Sequence, residues 1–353
     1  MIFRKGELFS GPGGLSYAAI NSKVKNTQGK EFGIKHVWSN DFDKDSCDTF
    51  RFNICPENKD SVIHKNVEEL EIKKLPPIDC FVFGFPCNDF SEVGKKKGTD
   101  GDFGKLYKYG VEVLNYHNPK WFLAENVPGL KSSKNGEDLK KILNELSNAG
   151  DFGYEFGGYE IVPHLYKFEE YGVPQIRKRI IIVGIRKDLN IKFKIPSPTT
   201  PVKFMTASEA LKNIPIDASN NELPKHTKEV IERLSYIPAG ENAWYEGIPE
   251  HLRIKTNTKL SQIYKRLDPD KPSYTLTASG GGGTHVYHWK ENRALTNRER
   301  ARIQTFPDNF VFIGEKESVR KQIGMAVPPH GAQIIFEAIL KCFAGIEYPF
   351  IEK

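Results

Sequence analysis

DCFVFG, residues 79–84, is a short and almost uninterrupted apolar run, and the pattern around it determines the fold class. A run of this kind is typical of a strand that is buried on both faces of a parallel sheet. Similar runs are ELFS (7–10), HVWSN (36–40), WFLAEN (121–126) and RIIIVGI (179–185). Amphipathic stretches at about 43–51, 105–117 and 137–148 are candidate helices. The alternation predicts a doubly wound, Rossmann-like α/β domain.

Composition indicates a globular protein of two domains. The chain has 353 residues, of which 39% are hydrophobic. No run approaches the roughly 18 apolar residues of a membrane span, and the first residues lack a secretory signal, so we expect a soluble cytoplasmic protein that binds no membrane. Five cysteines without a CxxC pair suggest neither a disulfide framework nor a thiolate metal site. The net charge of +6 suits a polyanionic partner, although a surplus of lysine more often serves solubility alone.

The predicted domains differ in character. Residues 1–186 contain the strand and helix pattern, and the C-terminal segment 318–353 recovers helical periodicity after two prolines. We therefore predict that 318–353 completes the first domain. Residues 187–317 are irregular, rich in Pro, Lys, Asn and Gly, and are interpreted as a second, smaller, loop-rich domain.

Ligands of such sheets bind beyond the carboxyl ends of the strands, and the sequence places a glycine turn there. FSGPGGL (9–15) has Ser16 where a dinucleotide fingerprint would have its third glycine, so a plain turn remains open. After the next strand, Asp41 can accept both hydroxyls of a ribose, and Phe42 can stack on an adenine. This combination indicates S-adenosylmethionine as much as a nicotinamide dinucleotide.

Cys87 follows Pro86 directly after the DCFVFG strand. Most free cysteines are small buried hydrophobes, which is the first interpretation. Its place beyond a strand end favours the second, a nucleophile whose thiolate is stabilised by cations or backbone amides. The lysines at 95–97 are then either a solvated loop or a lid that meets phosphates.

Two further motifs carry charge. Glu125 ends the WFLAEN strand and is either a satisfied structural carboxylate or a group that holds a proton. In QIRKR (175–179), strand alternation sends Gln175, Arg177 and Arg179 to one face, where guanidinium groups can bind an oxygen or a carboxylate.

Taken in order, these motifs resemble the DNA cytosine carbon-5 methyltransferases of bacterial restriction-modification systems. The matching elements run across almost the whole chain: FSGPGG (9–14), Asp41-Phe42, GFPCNDFS (84–91), GKLY (104–107), ENV (125–127), QIRKR (175–179), RALTNRERARIQTFPD (293–308) and QIGMAVPP (322–329). Single elements occur elsewhere, but the ordered set is specific.

The resemblance implies a S-adenosylmethionine-dependent enzyme that flips a cytosine out of double-stranded DNA and attacks its carbon 6 with Cys87. Glu125 is implied to contact ring nitrogen 3 and the exocyclic amine. Arg177 is implied to hold the carbonyl oxygen of the base, and Arg179 to brace the site. The segment between QIRKR and RALTNRER is implied to read the DNA sequence.

Other contacts follow from the same resemblance. The implied cofactor contacts, for S-adenosylmethionine and its product S-adenosylhomocysteine, are Phe9, Gly11, Gly13, Gly14, Leu15, Asp41, Phe42, Asn66, Pro86, Leu106, Met325 and Ala326. The implied DNA contacts are Ser91, Lys95, Lys96, Lys97, Gln175, Arg253, Tyr264 and Arg266. The sequence departs from the family at Asn88 (usually Gln), Asn66 (commonly Asp) and Met325 (usually Asn).

Three other functions remain open at this stage: a transfer-RNA cytosine-5 methyltransferase, a catalytically impaired DNA-binding regulator and, most weakly, a nicotinamide-dependent oxidoreductase. No metal is expected. We expect a monomer and a cognate restriction endonuclease that acts on the same DNA site.

Overall fold

The computed structural model describes residues 1–85, 105–150, 156–255, 260–278, 280–281 and 283–352. The expected functional residues Pro86, Cys87, Ser91, Lys95, Lys96 and Lys97 lie outside the described residues. Chain contacts divide the protein into two compact units. The first unit comprises Met1–Lys167, Lys178–Pro198 and Gly331–Lys353, and the second comprises Phe168–Arg177 and Thr199–His330. These limits differ from the expected 1–186, 318–353 and 187–317, and the functional roles of the domains stay predictions.

The first unit is built on one eight-stranded sheet. Its strands are β1 (Ile2–Leu8), β2 (Lys23–Lys25), β3 (Glu31–Asp41), β4 (Val62–His64), β5 (Cys80–Gly84), β6 (Trp121–Asn126), β7 (Tyr159–Lys167) and β8 (Lys178–Arg186). Seven of them lie in the order β2-β3-β1-β5-β6-β8-β7, and β4 pairs with β3. Each of the five predicted apolar runs contributes to a strand of this sheet. The α/β fold class is therefore confirmed.

The expectation of a purely parallel sheet is wrong. Strands β1, β3, β4, β5 and β6 are parallel to their neighbours in that group, whereas β8 runs antiparallel to both β6 and β7. Strand β7 was not foreseen, because its side chains are mostly half-buried and it contains Pro163. An apolar run reports burial on both faces, and it carries no information on strand direction.

Four of the α-helices in the described residues lie between these strands along the chain. They are α1 (Gly14–Asn21), α2 (Lys44–Asn53), α3 (Tyr107–His117) and α4 (Glu137–Ser147). The last three match the predicted helices closely. Asp43 caps α2, since its side chain accepts a hydrogen bond from the Ser46 backbone N–H. Helix α1 was not predicted, because it has only eight residues, most of them small or apolar, and it begins inside the glycine turn.

The C-terminal chain completes the first unit. After the helices of the second unit, α9 (Pro329–Ala344) places Phe336 6.1 Å from Trp121 and Phe343 4.9 Å from Phe3, measured between ring centroids. A stretch covering Lys316–Ala344 is long and apolar enough to cross a membrane, but 72% of its apolar window is buried inside the protein. Such burial is typical of a core helix.

The second unit has few regular elements. Its helices are α5 (Ala207–Ala210), α6 (Lys228–Tyr236), α7 (Asn297–Ile303) and α8 (Lys316–Met325). Helices α5 and α7 each begin with a capping box, from Thr206 with Glu209 and from Thr296 with Glu299. Its core includes two small apolar clusters of described residues, one containing Leu276 and one containing Tyr287.

Candidate catalytic and cofactor site

The glycine turn after β1 has a backbone that only a few residue types adopt without strain. Phe9, Gly11 and Gly13 have φ of 55°, 53° and 99°. A Cβ at Gly13 would lie 3.0 Å from side-chain atoms of Phe50 and Ile54, so this glycine is required for packing as well. At Gly11 a Cβ would meet nothing within 4 Å. The turn is therefore held rigidly and leaves open space beside Gly11.

Asp41 connects this turn to the end of β3. Its Oδ2 accepts a hydrogen bond from the Gly11 N–H at 2.7 Å, and its Oδ1 accepts one from the Asp43 N–H at 2.9 Å. Burial raises the pKa of the Asp41 carboxyl, although these two hydrogen bonds oppose that shift. Each carboxylate oxygen of Asp41 thus accepts one hydrogen bond from the backbone. The remaining lone pairs of these oxygens could accept the hydroxyls of a ribose.

Phe42 and Asn66 lie on the solvent side of the same edge. The Phe42 ring is 66% exposed, which is unusual for a phenylalanine and leaves a face free for stacking. The backbone oxygen of Phe42 contacts His64 Nε2 at 3.1 Å. Asn66 is exposed, and its amide oxygen accepts a hydrogen bond from the Glu68 N–H at 3.3 Å. We expected that oxygen to accept a hydrogen bond from the adenine amino group. In the structure it caps the short 3-10 helix at Val67–Glu69.

Other expected cofactor contacts differ in accessibility. Gly14 and Leu15 are buried, and the Leu15 side chain belongs to the core. Leu106 is half-buried against the core of the first unit. Met325 is 61% exposed and Ala326 is buried, and both belong to the second unit.

Glu125 pairs with Arg179. The Oε1 atom of Glu125 lies 2.8 Å from Nε of Arg179, and both side chains are 13% exposed. Strand pairing explains the contact, because β6 and β8 are antiparallel and Glu125 lies opposite Ile181, two residues from Arg179. Nη1 of Arg179 donates to the Lys178 carbonyl at 2.7 Å. The carboxylate is therefore held in one orientation by a guanidinium.

The end of β5 leaves room for this carboxylate. Gly84 lies opposite Glu125 in the parallel register, and a Cβ at Gly84 would come within 3.2 Å of Glu125 Oε2. The next residue, Phe85, is fixed by Asn126, whose side-chain amide donates to the Phe85 carbonyl at 3.1 Å. Asn126 is only 1% exposed. This role of Asn126 was not foreseen, although its buried polar side chain at a strand end was a signal for it.

Arg177 lies in the second unit and does something different. It is fully buried, and its Nη2 donates to the carbonyls of Gly324 at 3.0 Å and Ala326 at 2.8 Å. Its Nη1 donates to the Leu276 carbonyl at 3.1 Å. These carbonyls lie at the C-terminus of α8 and in the segment beside it, so Arg177 caps a helix. We expected Arg177 to hold the carbonyl oxygen of the base. The structure corrects this expectation, because the Nη donors of Arg177 bind backbone carbonyls instead.

Two expected DNA contacts are also buried. Gln175 is 0% exposed and donates to the Gln304 side chain at 2.9 Å. Arg266 is 4% exposed, and its guanidinium donates to five oxygens: the carbonyls of His288, Leu234, Ile237 and Glu291 and the side chain of Asn292. Burial lowers the pKa of Arg266. Both side chains hold the second unit together, and neither is placed to touch DNA.

The other two expected DNA contacts reach the surface. Arg253 is exposed and donates to the carbonyls of Ile248 and Glu246 at 3.0 and 3.1 Å. Tyr264 is half-buried with φ of 48°, an uncommon value for an aromatic residue. Its ring lies 5.4 Å from that of Tyr287, and the Arg233 guanidinium lies 4.9 Å above it.

A buried charged network beneath the glycine turn was missed by the sequence analysis. Nζ of Lys5 lies 2.5 Å from Glu7 Oε2 and 2.6 Å from Ser16 Oγ, and Ser16 also donates to Glu7. The Lys5 and Glu7 side chains are 0% and 1% exposed. Alternation in β1 was the available signal, because it places two opposite charges on one face of an otherwise apolar strand. Ser16, noted above as a departure from a glycine fingerprint, ties α1 to β1.

The family model and the curated relatives indicate one family, and a solved structure shares the fold. The model of the family described as C-5 cytosine-specific DNA methylase matches residues 3–341. Type II methyltransferase M.BbvI of Brevibacillus brevis is 59% identical over 359 residues, which cover 100% of this chain and 95% of that protein. Type II methyltransferase M.NgoFVII of Neisseria gonorrhoeae is 38% identical, with coverage of 96% and 86%. The solved structure of the Entamoeba histolytica methyltransferase EhMeth has a TM-score of 0.63 and 19% identity, with coverage of 97% and 98%.

Proposed function

Because the chain belongs to the C-5 cytosine-specific DNA methylases, we propose that the edge of the sheet bearing Glu125 and Arg179 is where its cytosine is methylated. The protein is a DNA cytosine-5 methyltransferase of the kind found in restriction-modification systems. The observation that carries the proposed site is the Glu125–Arg179 pair beside Gly84.

Cys87 is the proposed nucleophile. It lies three positions after Gly84 in the sequence, and three extended residues span at most about 11 Å. Gly84 lies opposite Glu125, and Asn126 fixes the carbonyl of Phe85. The chain therefore leaves a fixed point close to the carboxylate, which supports a thiol that works on the same base as Glu125.

The proposed chemistry uses the thiolate to activate a poor nucleophile. Addition of Cys87 sulfur to carbon 6 of cytosine gives carbon 5 the electron density to attack a methyl group. Glu125 hydrogen-bonds the ring at nitrogen 3 and stabilises the electron density that moves there. Loss of the carbon-5 proton and elimination of the thiolate then restore the ring double bond and release the enzyme.

The proposed roles of Arg177 and Arg179 differ from those that the sequence led us to expect. Arg179 orients Glu125 through Nε, and its Nη2 donors have no acceptor in the part of the chain that the structure describes. We propose that these donors hold the carbonyl oxygen of the base. Arg177 acts as a helix cap.

Matched substitutions distinguish these two roles. We expect Arg179→Lys to lower kcat by about 100-fold, because one ammonium cannot bind the carboxylate and a second oxygen in a fixed plane. Its free energy of unfolding should stay nearly unchanged. Arg177→Lys should instead lower the free energy of unfolding by about 2–4 kcal/mol, because buried carbonyls lose their donors.

Turnover and urea denaturation of both variants provide the measurements. Turnover is expressed per mole of folded enzyme, so that a loss of stability is not counted as a loss of activity. A stable Arg177→Lys protein with strongly reduced kcat would restore the original assignment.

The cofactor proposed is S-adenosylmethionine. The open space at Gly11, the Asp41 carboxylate and the exposed Phe42 ring fit its methionine, ribose and adenine parts in turn. When bound, this cofactor supplies the methyl group from a sulfonium centre. Leu106 and the backbone of Leu15 are proposed to line the same pocket.

The proposed substrate is double-stranded DNA from which one cytosine is flipped out, since carbon 6 can be attacked only from a face of the ring. We propose that the second unit, with Arg253 and Tyr264 at its surface, reads the sequence. The family description names DNA, so a transfer-RNA enzyme is disfavoured, and the relatives named above are methyltransferases rather than regulators.

A duplex containing 5-fluorocytosine at the target position tests this function. Fluorine at carbon 5 cannot leave as a proton does, so the thiolate adduct should accumulate when S-adenosylmethionine is present and be absent without it. The adduct is detected by denaturing gel and mass spectrometry. A binder without catalysis gives no adduct, and a preference for RNA in competition would favour the transfer-RNA alternative.

We further propose that the protein acts as a monomer in the cytoplasm, where chromosomal DNA is accessible. Its cognate restriction endonuclease would act on the same DNA site without necessarily binding this chain.

A further inference from the structure

A pair of arginines in the second unit lies beside the glycine-rich segment that contains Gly280 and Gly281. Arg320 Nη2 donates to the Gly280 carbonyl at 3.1 Å, and Arg300 Nη2 donates to the Thr277 carbonyl at 3.0 Å. Arg300 is 2% exposed and the Arg320 side chain 13% exposed. The Nε atoms of both are buried without a partner in the part of the chain that the structure describes.

Helix α8 is built to bring Arg320 to this segment. A Cβ at Gly324 would lie 2.4 Å from the backbone of Thr277, so only glycine allows the helix to approach so closely. Arg320 lies one turn before Gly324 on the same helix face. A Cβ at Gly280 would lie 2.5 Å from Arg320 Nε, so a second glycine makes room for the guanidinium.

The cluster has too little negative charge. The acidic side chain paired with Arg320 is Glu317, at 3.7 Å, and it is 83% exposed. Burial and the neighbouring Arg320 lower the pKa of Arg300 to about 10. Burial and the two arginines lower the pKa of His285 to about 4. Like charges that are buried together beside a single, largely exposed carboxylate destabilise the free protein, and an anion would relieve this repulsion.

The glycine-rich segment also offers donors and access. Gly281 is exposed, and the N–H groups of Gly280 and Gly281 donate to no acceptor in the described residues. Thr284 donates through its N–H and its hydroxyl to the Gly281 carbonyl, at 3.0 and 2.8 Å. Successive backbone N–H groups next to guanidinium groups are the usual ingredients of a phosphate site.

We propose that Arg320, supported by Arg300 and the 280–281 backbone, binds one phosphodiester of the DNA substrate. This inference rests on the proposed function for the choice of DNA as the anion. The contact orients the second unit on the duplex and carries no sequence information of its own.

The salt dependence of DNA binding tests the site. We expect Arg320→Gln to reduce the slope of log K against log salt by about 0.9, the value for one lost phosphate contact. Arg320→Lys keeps the charge and should keep the slope. Lys271→Gln is the matched control, because its ammonium is exposed and already paired with Asp268 at 2.8 Å. This control should leave the slope unchanged.

Duplexes with single methylphosphonate linkages identify the phosphate. One neutral linkage should weaken binding of the parent protein and have no further effect on Arg320→Gln. The kcat at saturating DNA should change by less than about twofold, since binding alone is altered. An unchanged slope, or a linkage series in which both proteins respond alike, overturns the inference.

The two proposals fail separately. Adduct formation on 5-fluorocytosine with an unchanged salt slope removes the phosphate site and leaves the proposed function standing. A reduced salt slope without any adduct removes the proposed methyl transfer and leaves the phosphate site standing.

Discussion

Substitution of Cys87 by serine is expected to lower methyl transfer by about 10⁴-fold or more, because removal of a covalent nucleophile leaves only binding and positioning. A serine hydroxyl at this place is far less ionised than a thiol, so it cannot add to carbon 6 at neutral pH. Single-turnover transfer of labelled methyl groups to a duplex is the measurement.

DNA and cofactor binding provide the control for this variant. Both dissociation constants should stay within about threefold of the parent, since sulfur and oxygen differ little in size and neither carries the binding energy. Cys80 lies on β5, is fully buried, and has a pKa raised well above its ordinary value by burial. Cys80→Ser is therefore a matched cysteine substitution that should leave kcat per folded enzyme unchanged. If Cys87→Ser retains substantial transfer, a covalent mechanism through this residue is wrong.

Substitution of Lys5 by methionine is expected to lower the free energy of unfolding by about 3–5 kcal/mol, because it leaves the Glu7 carboxylate buried without its cation. The Lys5 ammonium contacts both Glu7 and Ser16, and the Glu7 side chain is 1% exposed. Methionine has a similar length and cannot donate a hydrogen bond. Urea denaturation with an unchanged m-value gives the loss directly.

An exposed ion pair in the same unit is the control. Nζ of Lys44 lies 2.7 Å from Asp48 Oδ2, but Lys44 is 71% exposed, so Lys44→Met should cost about 0–1 kcal/mol. Adding Glu7→Gln to Lys5→Met should recover much of the stability, because a neutral amide is cheaper to bury than a carboxylate. A cost below about 1 kcal/mol for Lys5→Met would mean that the network contributes little.

The patterns that report burial predicted much of the fold. Continuous apolar runs located five of the eight strands described above, and amphipathic spacing located α2, α3 and α4. Burial on one or two faces leaves a direct trace in the sequence. The strand ends also placed Gly11, Asp41 and Glu125 at one sheet edge, since parallel strands end on the same side. Arg179, near the start of β8, reaches that edge because β8 runs antiparallel to β6. The direction of β8 left no such trace.

The sequence by itself determined the family, the α/β class and the residue types that the chemistry needs. Only the tertiary structure decided which arginine of QIRKR serves the carboxylate and which caps α8. It also decided that Gln175 and Arg266 are buried supports, that Lys5 and Glu7 form a closed network, and that Arg320 meets Gly280. The physical reason is that a guanidinium binds whichever oxygens surround it, and those oxygens come from segments distant in sequence.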